Sequence, residues 1–234
     1  TTEAEFGAAL KLHPEWRSQI ELVTKCGIIH VCDQKPAHYT KAYDFTKAHI
    51  LQSAEDSLRN LQTDYLDVML LHRPDLLMDP DEVAEAFELL YSSGKVRSFG
   101  VSNFTPSQIK LLQSTVPVGV HQLEISVKDV SAFDDGRLDQ CTLDGIVPMA
   151  WSPLGGGNLP EGVASVLGSL ASEFGVTPQA IALAWLLQHP AGILPVIGTT
   201  KAENLEAAQT ALNIKLDRQQ WYTIYQAATG IRLP

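Results

Sequence analysis

The sequence predicts an α/β fold with parallel strands, and three observations support that prediction. Short runs rich in Val, Ile and Leu alternate with helical patterns along the 234 residues. Gly, Pro or polar residues bound each run, as is typical of strands buried in a parallel sheet. No Gly-x-Gly-x-x-Gly motif follows any run, which counts against a Rossmann fold. A doubly wound sheet and part of an eight-fold barrel both fit this alternation.

Six runs are predicted to be strands: Glu21–Ile28, Tyr65–His72, Val96–Asn103, Val118–Ser126, Gly145–Ser152 and Ile193–Thr199. A closed (β/α)₈ barrel needs eight strands and about 250 residues. The chain opens directly in a helical pattern, EAEFGAALKL, and an open six-strand remnant would expose two long edges. The barrel interpretation therefore expects a first strand, a first helix and a second strand before Thr1.

Helix starts are marked by capping residues. The segments DPDE at 79–82 and TPSQ at 105–108 each predict a capping box with proline at the first helical position. A further helix is predicted from Thr177 to about His189, and the last one follows Asp217. Residues 45–61 place apolar side chains at helical spacing, so an amphipathic helix is expected there.

The net charge, the cysteine content and the lengths of the apolar runs argue against several classes of partner and binding site. A net charge of −10 argues against nucleic acid or an anionic membrane as a general partner. The three cysteines, Cys26, Cys32 and Cys141, form no CxxC pair, so neither a disulfide framework nor a structural metal site is predicted. A reducing, cytoplasmic setting fits this cysteine usage. No apolar run reaches the length of about 18 residues that a membrane span requires.

Polar residues stand where the predicted strands end. The segment YLDVMLLHRPD at 65–75 shows this most clearly, because an apolar run ends in a single histidine before Arg-Pro breaks the strand. Chemistry in parallel α/β folds sits at the carboxyl ends of the strands, so these residues are expected to gather along one edge. The set is Lys25, His72, Ser102, Asn103, Gln122, Trp151, Ser152, Gly198 and Thr199.

Each of these residues also has a structural interpretation. A histidine at a strand end is more often an ordinary residue of the core edge than a catalytic group. Lys25 fits a structural ion pair, and a lysine at such a place also fits the Schiff-base chemistry of barrel aldolases. Asn103 stands two residues before a helix cap, and Trp151 fits ordinary core packing.

Several segments together resemble the aldo/keto reductase family, and within it the bacterial YdhF-type oxidoreductase branch. They are TKCGI at 24–28, LLHRPD at 70–75, GKVRSFGVSNFTP at 94–106, HQLEIS at 121–126, MAWSPLGGG at 149–157 and VIGTTKAENLEAA at 196–208. They span almost the whole chain in the family's order. The resemblance implies an NADP(H)-dependent reductase of aldehydes or ketones, on a (β/α)₈ TIM barrel formed by residues 1–234 with its first strand-helix-strand portion missing.

The family uses a catalytic tetrad of Asp, Tyr, Lys and His. The resemblance assigns the lysine to Lys25 and the histidine to His72, and it puts the Asp and Tyr upstream of Thr1. Residues 1–234 alone are therefore expected to form an unstable or inactive molecule. In the family, the lysine makes the tyrosine a better proton donor and the histidine directs the carbonyl oxygen.

The resemblance also assigns a site for NADP(H). Ser102, Asn103 and Gln122 would hold the carboxamide of the nicotinamide, and Trp151 would stack beneath its ring. The phosphates would lie against two segments, which comprise Ser152, Pro153, Leu154, Gly155, Gly156 and Gly157, and then Ile197, Gly198, Thr199, Thr200, Lys201 and Asn204. Glycine-rich backbone and a helix N-terminus both attract anions, although a flexible lid and a plain helix cap are the corresponding structural interpretations.

One departure from the family pattern bears on the cofactor. Family members commonly carry an arginine near position 204 and an asparagine near position 208, where this chain has Asn204 and Ala208. The preference for NADPH over NADH is therefore expected to be less sharp.

Two alternatives stay open at this point, namely a non-catalytic, cofactor-binding regulatory subunit and a barrel lyase or aldolase that uses Lys25. The expected partner is a small carbonyl substrate. The sequence specifies neither that substrate nor the oligomeric state.

Overall fold

The computed structural model describes residues 2–32 and 39–232. The chain divides into two compact units, residues 1–121 and 122–234, and each is described by itself. In both units helices alternate with parallel strands, which confirms the predicted α/β class.

The first unit contains five strands and four helices among its described residues. The strands are β1 (Val23–Cys26), β2 (Ile28–Ile29), β3 (Ala42–Tyr43), β4 (Leu66–Leu71) and β5 (Val96–Ser102). The helices are α1 (Thr2–Leu12), α2 (Lys47–Leu61), α3 (Pro80–Ser92) and α4 (Pro106–Gln113), with a 3₁₀ helix at Pro14–Gln19. A further strand, β6 (Val120–Glu124), begins in the first unit and ends in the second.

The central strand of the first unit is β4, whose six residues are all buried. It pairs in parallel with β1 on one side and β5 on the other, with Leu70 opposite both Lys25 and Gly100. A strand buried on both faces has a mostly apolar sequence, which explains LDVMLL apart from its one charged residue, Asp67. Glycine is required at 100 because an added Cβ would lie 2.3 Å from the carbonyl oxygen of Val120.

The helix caps of the first unit match the predictions with one exception. The Thr105 hydroxyl accepts the N–H of Gln108, whose side chain accepts the N–H of Thr105, so this capping box is confirmed. Asp79 caps α3 as expected. The predicted reciprocal bond from Glu82 is wrong, because the Glu82 carboxylate instead accepts the backbone N–H of Lys47 at the start of α2.

The second unit contains two further strands and five helices among its described residues. These are α5 (Arg137–Asp144), β7 (Val147–Trp151), α6 (Glu161–Phe174), α7 (Pro178–Leu187), β8 (Leu194–Pro195), α8 (Ala202–Gln209) and α9 (Arg218–Thr229). Short 3₁₀ helices lie at Ser131–Phe133, Gly155–Gly157 and Thr210–Asn213.

The core of the second unit forms around α7, which is buried nearly all round. Trp185 of α7 and Trp221 of α9 stack at 5.1 Å between ring centroids, and each indole N–H donates to the backbone carbonyl of the other residue. This reciprocal pairing satisfies both polar groups inside an aromatic core.

The strands are shorter than predicted at most ends. The run from Ile193 to Thr199 contains only the two-residue β8, and the antiparallel pair β2–β3 was not anticipated. Among the described residues no single helix is long and apolar enough to cross a membrane. The helices α6 and α7 meet that criterion only when taken together, and they are bent by 94°.

Candidate active site

Lys25 and His72 lie at the carboxyl ends of two neighbouring strands. Lys25 is the third residue of β1, opposite Leu70 of β4, and His72 directly follows β4. The N–H of His72 donates to the carbonyl oxygen of Cys26 over 3.0 Å, which continues the parallel pairing past the end of β4. As expected, these two residues lie along one edge of the sheet, within the first unit.

The surroundings of His72 keep its imidazole neutral. Partial burial lowers the pKa of His72 to about 4, and the positive charge of Lys25 is the next cause. Arg73, His30 and Lys41 add smaller repulsions of the same sign. Burial also lowers the pKa of the Lys25 ammonium. The histidine is therefore available near neutral pH as a neutral hydrogen-bonding group.

Ser102 and Asn103 end the next strand along the sheet. Ser102 is the last residue of β5 and is only 1% exposed. Because Leu71 lies opposite Val101, the parallel register carries Ser102 to the level of His72. Asn103 adopts a left-handed backbone conformation with φ of 62°, and its amide donates to the Ser102 hydroxyl over 2.7 Å. Asparagine enters this left-handed region more readily than most residues other than glycine, and the hydrogen bond to Ser102 orients its amide.

A carboxylate that the sequence analysis did not assign braces the loops around this edge. Asp75 accepts the N–H of Phe45 over 3.2 Å and the N–H of Leu77 over 2.9 Å. It thereby joins the loop that follows His72 to the segment that enters α2. Phe45 in turn lies against Gly27, where an added Cβ would fall 2.0 Å from the ring. In the sequence, Asp75 is the aspartate of the HRPD segment, and that segment is the feature from which its role could have been predicted.

Gln122 occupies a different place from the one predicted. It is the middle residue of β6 (Val120–Glu124), as it is of the predicted run Val118–Ser126, and it was wrongly grouped with the strand ends. Its side chain is 4% exposed and forms no hydrogen bond with the described residues.

The segment 151–157 leaves the carboxyl end of β7 in a series of unusual backbone conformations. Trp151 is the last residue of β7, and Ser152 follows with φ of 50°. Pro153 is buried and Leu154 packs against the core of the second unit. Gly155, Gly156 and Gly157 all have positive φ, a region that glycine enters without steric cost.

The segment 197–204 leaves the neighbouring strand. β8 pairs in parallel with β7, and Val196 donates its N–H to the carbonyl of Ala150. Ile197, Gly198 and Thr200 are exposed. Ile197 and Gly198 lie beyond β8 rather than within a strand as predicted.

The Thr199 hydroxyl organises the start of α8. It accepts the N–H of Lys201 over 3.2 Å and the side-chain amide of Asn204 over 3.0 Å. Lys201 is the N-cap residue of α8, and no side chain caps the helix. The first N–H groups of α8 are therefore left without a side-chain acceptor.

Comparison with known proteins agrees with this arrangement. The model of the aldo/keto reductase family matches residues 1–229. The uncharacterized oxidoreductase YcsN of Bacillus subtilis is 46% identical over 100% of this chain and 81% of its own length. The oxidoreductase YdhF of Escherichia coli is also 46% identical, over 99% of this chain and 80% of its own length. A 6-dehydroglucose reductase of Agrobacterium fabrum is 43% identical over 98% of this chain and 80% of its own length.

Solved structures extend the likeness to the fold. The thermostable aldo-keto reductase Tm1743, solved with the inhibitor epalrestat, superposes with a TM-score of 0.85 over 97% of this chain and 77% of its own, at 28% identity. An aldo/keto reductase of Klebsiella pneumoniae, in complex with NADP and acetate, gives a TM-score of 0.80 over 96% and 74% of the two chains, also at 28% identity. These neighbours are (β/α)₈ barrels, which confirms the predicted fold class. The 46% identity to YdhF confirms the predicted likeness to that oxidoreductase. The chain belongs to the aldo/keto reductase family of oxidoreductases.

Proposed function

We propose that this protein is an NADP(H)-dependent oxidoreductase that reduces aldehydes or ketones of small molecules to alcohols. The observation that carries the proposal is the register of the first unit, which brings Lys25, His72 and Ser102 to the carboxyl ends of three adjacent parallel strands. These three residues supply a cation, a neutral imidazole and a buried hydroxyl along one edge of the sheet. Such groups can orient the carbonyl oxygen of a substrate and assist its protonation.

The residues present fit a nicotinamide cofactor. The polar side chains of Ser102 and Asn103, within the first unit, match the donors and acceptors of the nicotinamide amide. The exposed glycines after Trp151 let an anion approach the backbone closely. The start of α8, with Lys201 at its N-cap, suits a phosphate such as the 2′-phosphate of NADP.

A bound nicotinamide would supply hydride chemistry at this site, and the carbonyl oxygen of the substrate would then need a proton. His72, neutral around pH 7, donates a hydrogen bond to that oxygen and sets its direction. The Lys25 cation favours the ionised form of a neighbouring phenol and so eases release of its proton. In the family that phenol is a tyrosine upstream of the equivalent of Lys25.

The candidate substrates follow from the carbonyl reduction proposed above and from the names of two relatives. Proteins named 6-dehydroglucose reductase, from Agrobacterium fabrum and Novosphingobium aromaticivorans, are 43% and 40% identical to this chain. We include the aldehyde form of a sugar among the candidate substrates for this reason.

The test mixes purified full-length protein with NADPH and a panel of simple aldehydes, ketones and a sugar aldehyde, and follows the loss of reduced-nicotinamide absorbance. Turnover that depends on Lys25 and His72 is expected. Tight NADPH binding without any turnover would contradict the proposal and favour a cofactor-binding regulatory subunit.

A second candidate rests on Lys25 alone. Burial lowers the pKa of its ammonium, and an amine with a lowered pKa is a better nucleophile for a Schiff base. Borohydride trapping of a carbonyl compound on Lys25, with no consumption of NADPH, would favour a lyase or aldolase over a reductase.

A further inference from the structure

We propose that Lys128 is a further cofactor-binding residue, whose ammonium contacts the pyrophosphate that lies against the glycine segment 155–157. This inference rests on the proposed function and adds to it a residue from a different loop, the one that follows β6. The observations that carry it all lie within the second unit.

A tight turn holds the backbone of Lys128 in place. Ser126 is fully buried, and its hydroxyl accepts the N–H of Lys128 over 3.0 Å and the N–H of Asp129 over 3.1 Å. The N–H of Ser126 donates to the carbonyl of Asp129 over 2.9 Å, which closes the turn. The starting point of the Lys128 side chain is therefore fixed by three hydrogen bonds.

The aliphatic stem of Lys128 lies on Gly155. A Cβ added at Gly155 would fall 2.9 Å from Cβ and 3.4 Å from Cδ of Lys128, so the two loops touch through a glycine and a lysine stem. Lysine commonly packs its stem against a surface and leaves its ammonium in solvent. A Cβ added at the exposed Gly156 or Gly157 would meet open space, so a ligand lying against these two glycines would be within reach of the Lys128 ammonium.

Lys128 is an exposed cation. Among the described residues Lys128 takes part in no ion pair, although the protein carries a net charge of −10. The neighbouring Asp129 carboxylate is occupied by the N–H and hydroxyl of Ser131. A cation that is positioned but unpaired, beside glycines with positive φ, suits an anion with more than one oxygen.

The pyrophosphate is common to NADPH and NADH, whereas the 2′-phosphate belongs to NADPH alone. Lys128→Met keeps the apolar stem and removes the charge, so we expect both dinucleotides to bind about three- to ten-fold more weakly and by the same factor. Lys128→Arg should recover most of the affinity. Lys215→Met, at an exposed lysine elsewhere in the second unit, is the matched control and should change neither affinity.

Isothermal titration of the full-length protein with NADPH and NADH measures these effects, and inorganic pyrophosphate serves as a competing probe. Unchanged affinities in Lys128→Met would overturn the inference while leaving the proposed function intact, and so would a loss confined to NADPH. Pyrophosphate binding that depends on Lys128, without binding of either dinucleotide, would instead refute the proposed function and keep the anion site.

A second pair of variants tests the contact itself. Gly155→Ala and Gly156→Ala both place a side chain at positive φ, 59° and 72°, but only the first meets Lys128. We expect Gly155→Ala to weaken both dinucleotides more than Gly156→Ala does. Equal effects would mean that the position of the Lys128 stem is irrelevant to binding.

Discussion

The backbone N–H of His72 donates a hydrogen bond of 3.0 Å to the carbonyl oxygen of Cys26, the residue that follows Lys25. This bond ties the end of β4 to the end of β1 and keeps the two candidate catalytic side chains at neighbouring positions along one sheet edge. Their electrostatic interaction follows from it, since the charge of Lys25 helps to lower the pKa of His72.

Replacing Lys25 with methionine should abolish carbonyl reduction while cofactor affinity stays within about two-fold. The cation is needed to ease release of the proton, whereas the cofactor-binding residues lie elsewhere. Steady-state rates and NADPH titration measure the two quantities. Lys110→Met, on the exposed face of α4, is the control and should behave as the wild type. Normal turnover by Lys25→Met would remove this role.

The neutrality of His72 predicts a pH dependence of stability. Its pKa of about 4 in the folded protein lies below the value of about 6.5 in an unfolded chain, so the unfolded state binds more protons between these values. The contribution of His72 to stability is therefore complete above about pH 6.5 and is lost as the pH falls towards 4. Urea unfolding of wild type and His72→Asn at several pH values should show a smaller acid loss in the variant. Identical pH profiles would contradict the lowered pKa.

Removing the Asp75 brace should impair catalysis more than it impairs folding. Asp75→Asn places an amide N–H₂ against one of the two backbone donors, so the loop after His72 and the segment at Phe45 should separate. We expect a lower kcat, and faster hydrogen exchange at the Phe45 and Leu77 amides. Asp79→Asn is the matched control, because asparagine caps a helix about as well as aspartate. Unaltered exchange in Asp75→Asn would show that the brace is not needed.

Lys201→Ala should weaken NADPH more than NADH. Its ammonium lies at the start of α8, where the proposal puts the 2′-phosphate that only NADPH carries. Parallel titrations with the two nucleotides measure the difference. Equal losses would exclude this assignment, because they are the pattern expected for Lys128 and not for a residue at the 2′-phosphate.

The buried carboxylate of Asp67 should matter for stability rather than for catalysis. It pairs with Arg17 at 2.7 Å and Arg97 at 3.1 Å, and both guanidinium groups lie over the ring of Tyr65. Burial alone would raise the pKa of Asp67. The hydrogen bond from the N–H of Leu22 and the charges of the two arginines outweigh that effect and lower it.

Asp67→Asn should therefore lower the free energy of unfolding by about 3 kcal/mol at neutral pH. The effect should shrink in acid, because the stabilisation by an ionised Asp67 is present above about pH 3.9 and is lost as the pH falls through the lowered pKa. Thermal unfolding measures the loss. Asp56→Asn, in an exposed pair with Arg59, is the control and should cost less than about 1 kcal/mol. A similar cost for both variants would contradict the special role of Asp67.

Local residue types explain why much of the fold was predictable. A capping box is indicated by the helix N-cap residue and a glutamine three positions later, as at Thr105 and Asp217. The structure confirms the predicted box at Thr105 and contains another at Asp217. The run from Leu66 to Leu71 is apolar apart from the ion-paired Asp67, because both faces of β4 are covered. Strand ends were less predictable. Whether Gln122 ends β6 or lies within it depends on how far the neighbouring strands extend, which no local pattern encodes.

The sequence by itself determined the family, the order of the strands and helices, and the candidate residues Lys25 and His72, since each depends on short stretches of chain. Only the tertiary structure decided the neutral state of His72, the brace from Asp75 to Phe45 and the contact between Lys128 and Gly155. These depend on burial, charge and contact between segments distant in sequence. Folding sets the distances between such segments, and their residue types alone do not.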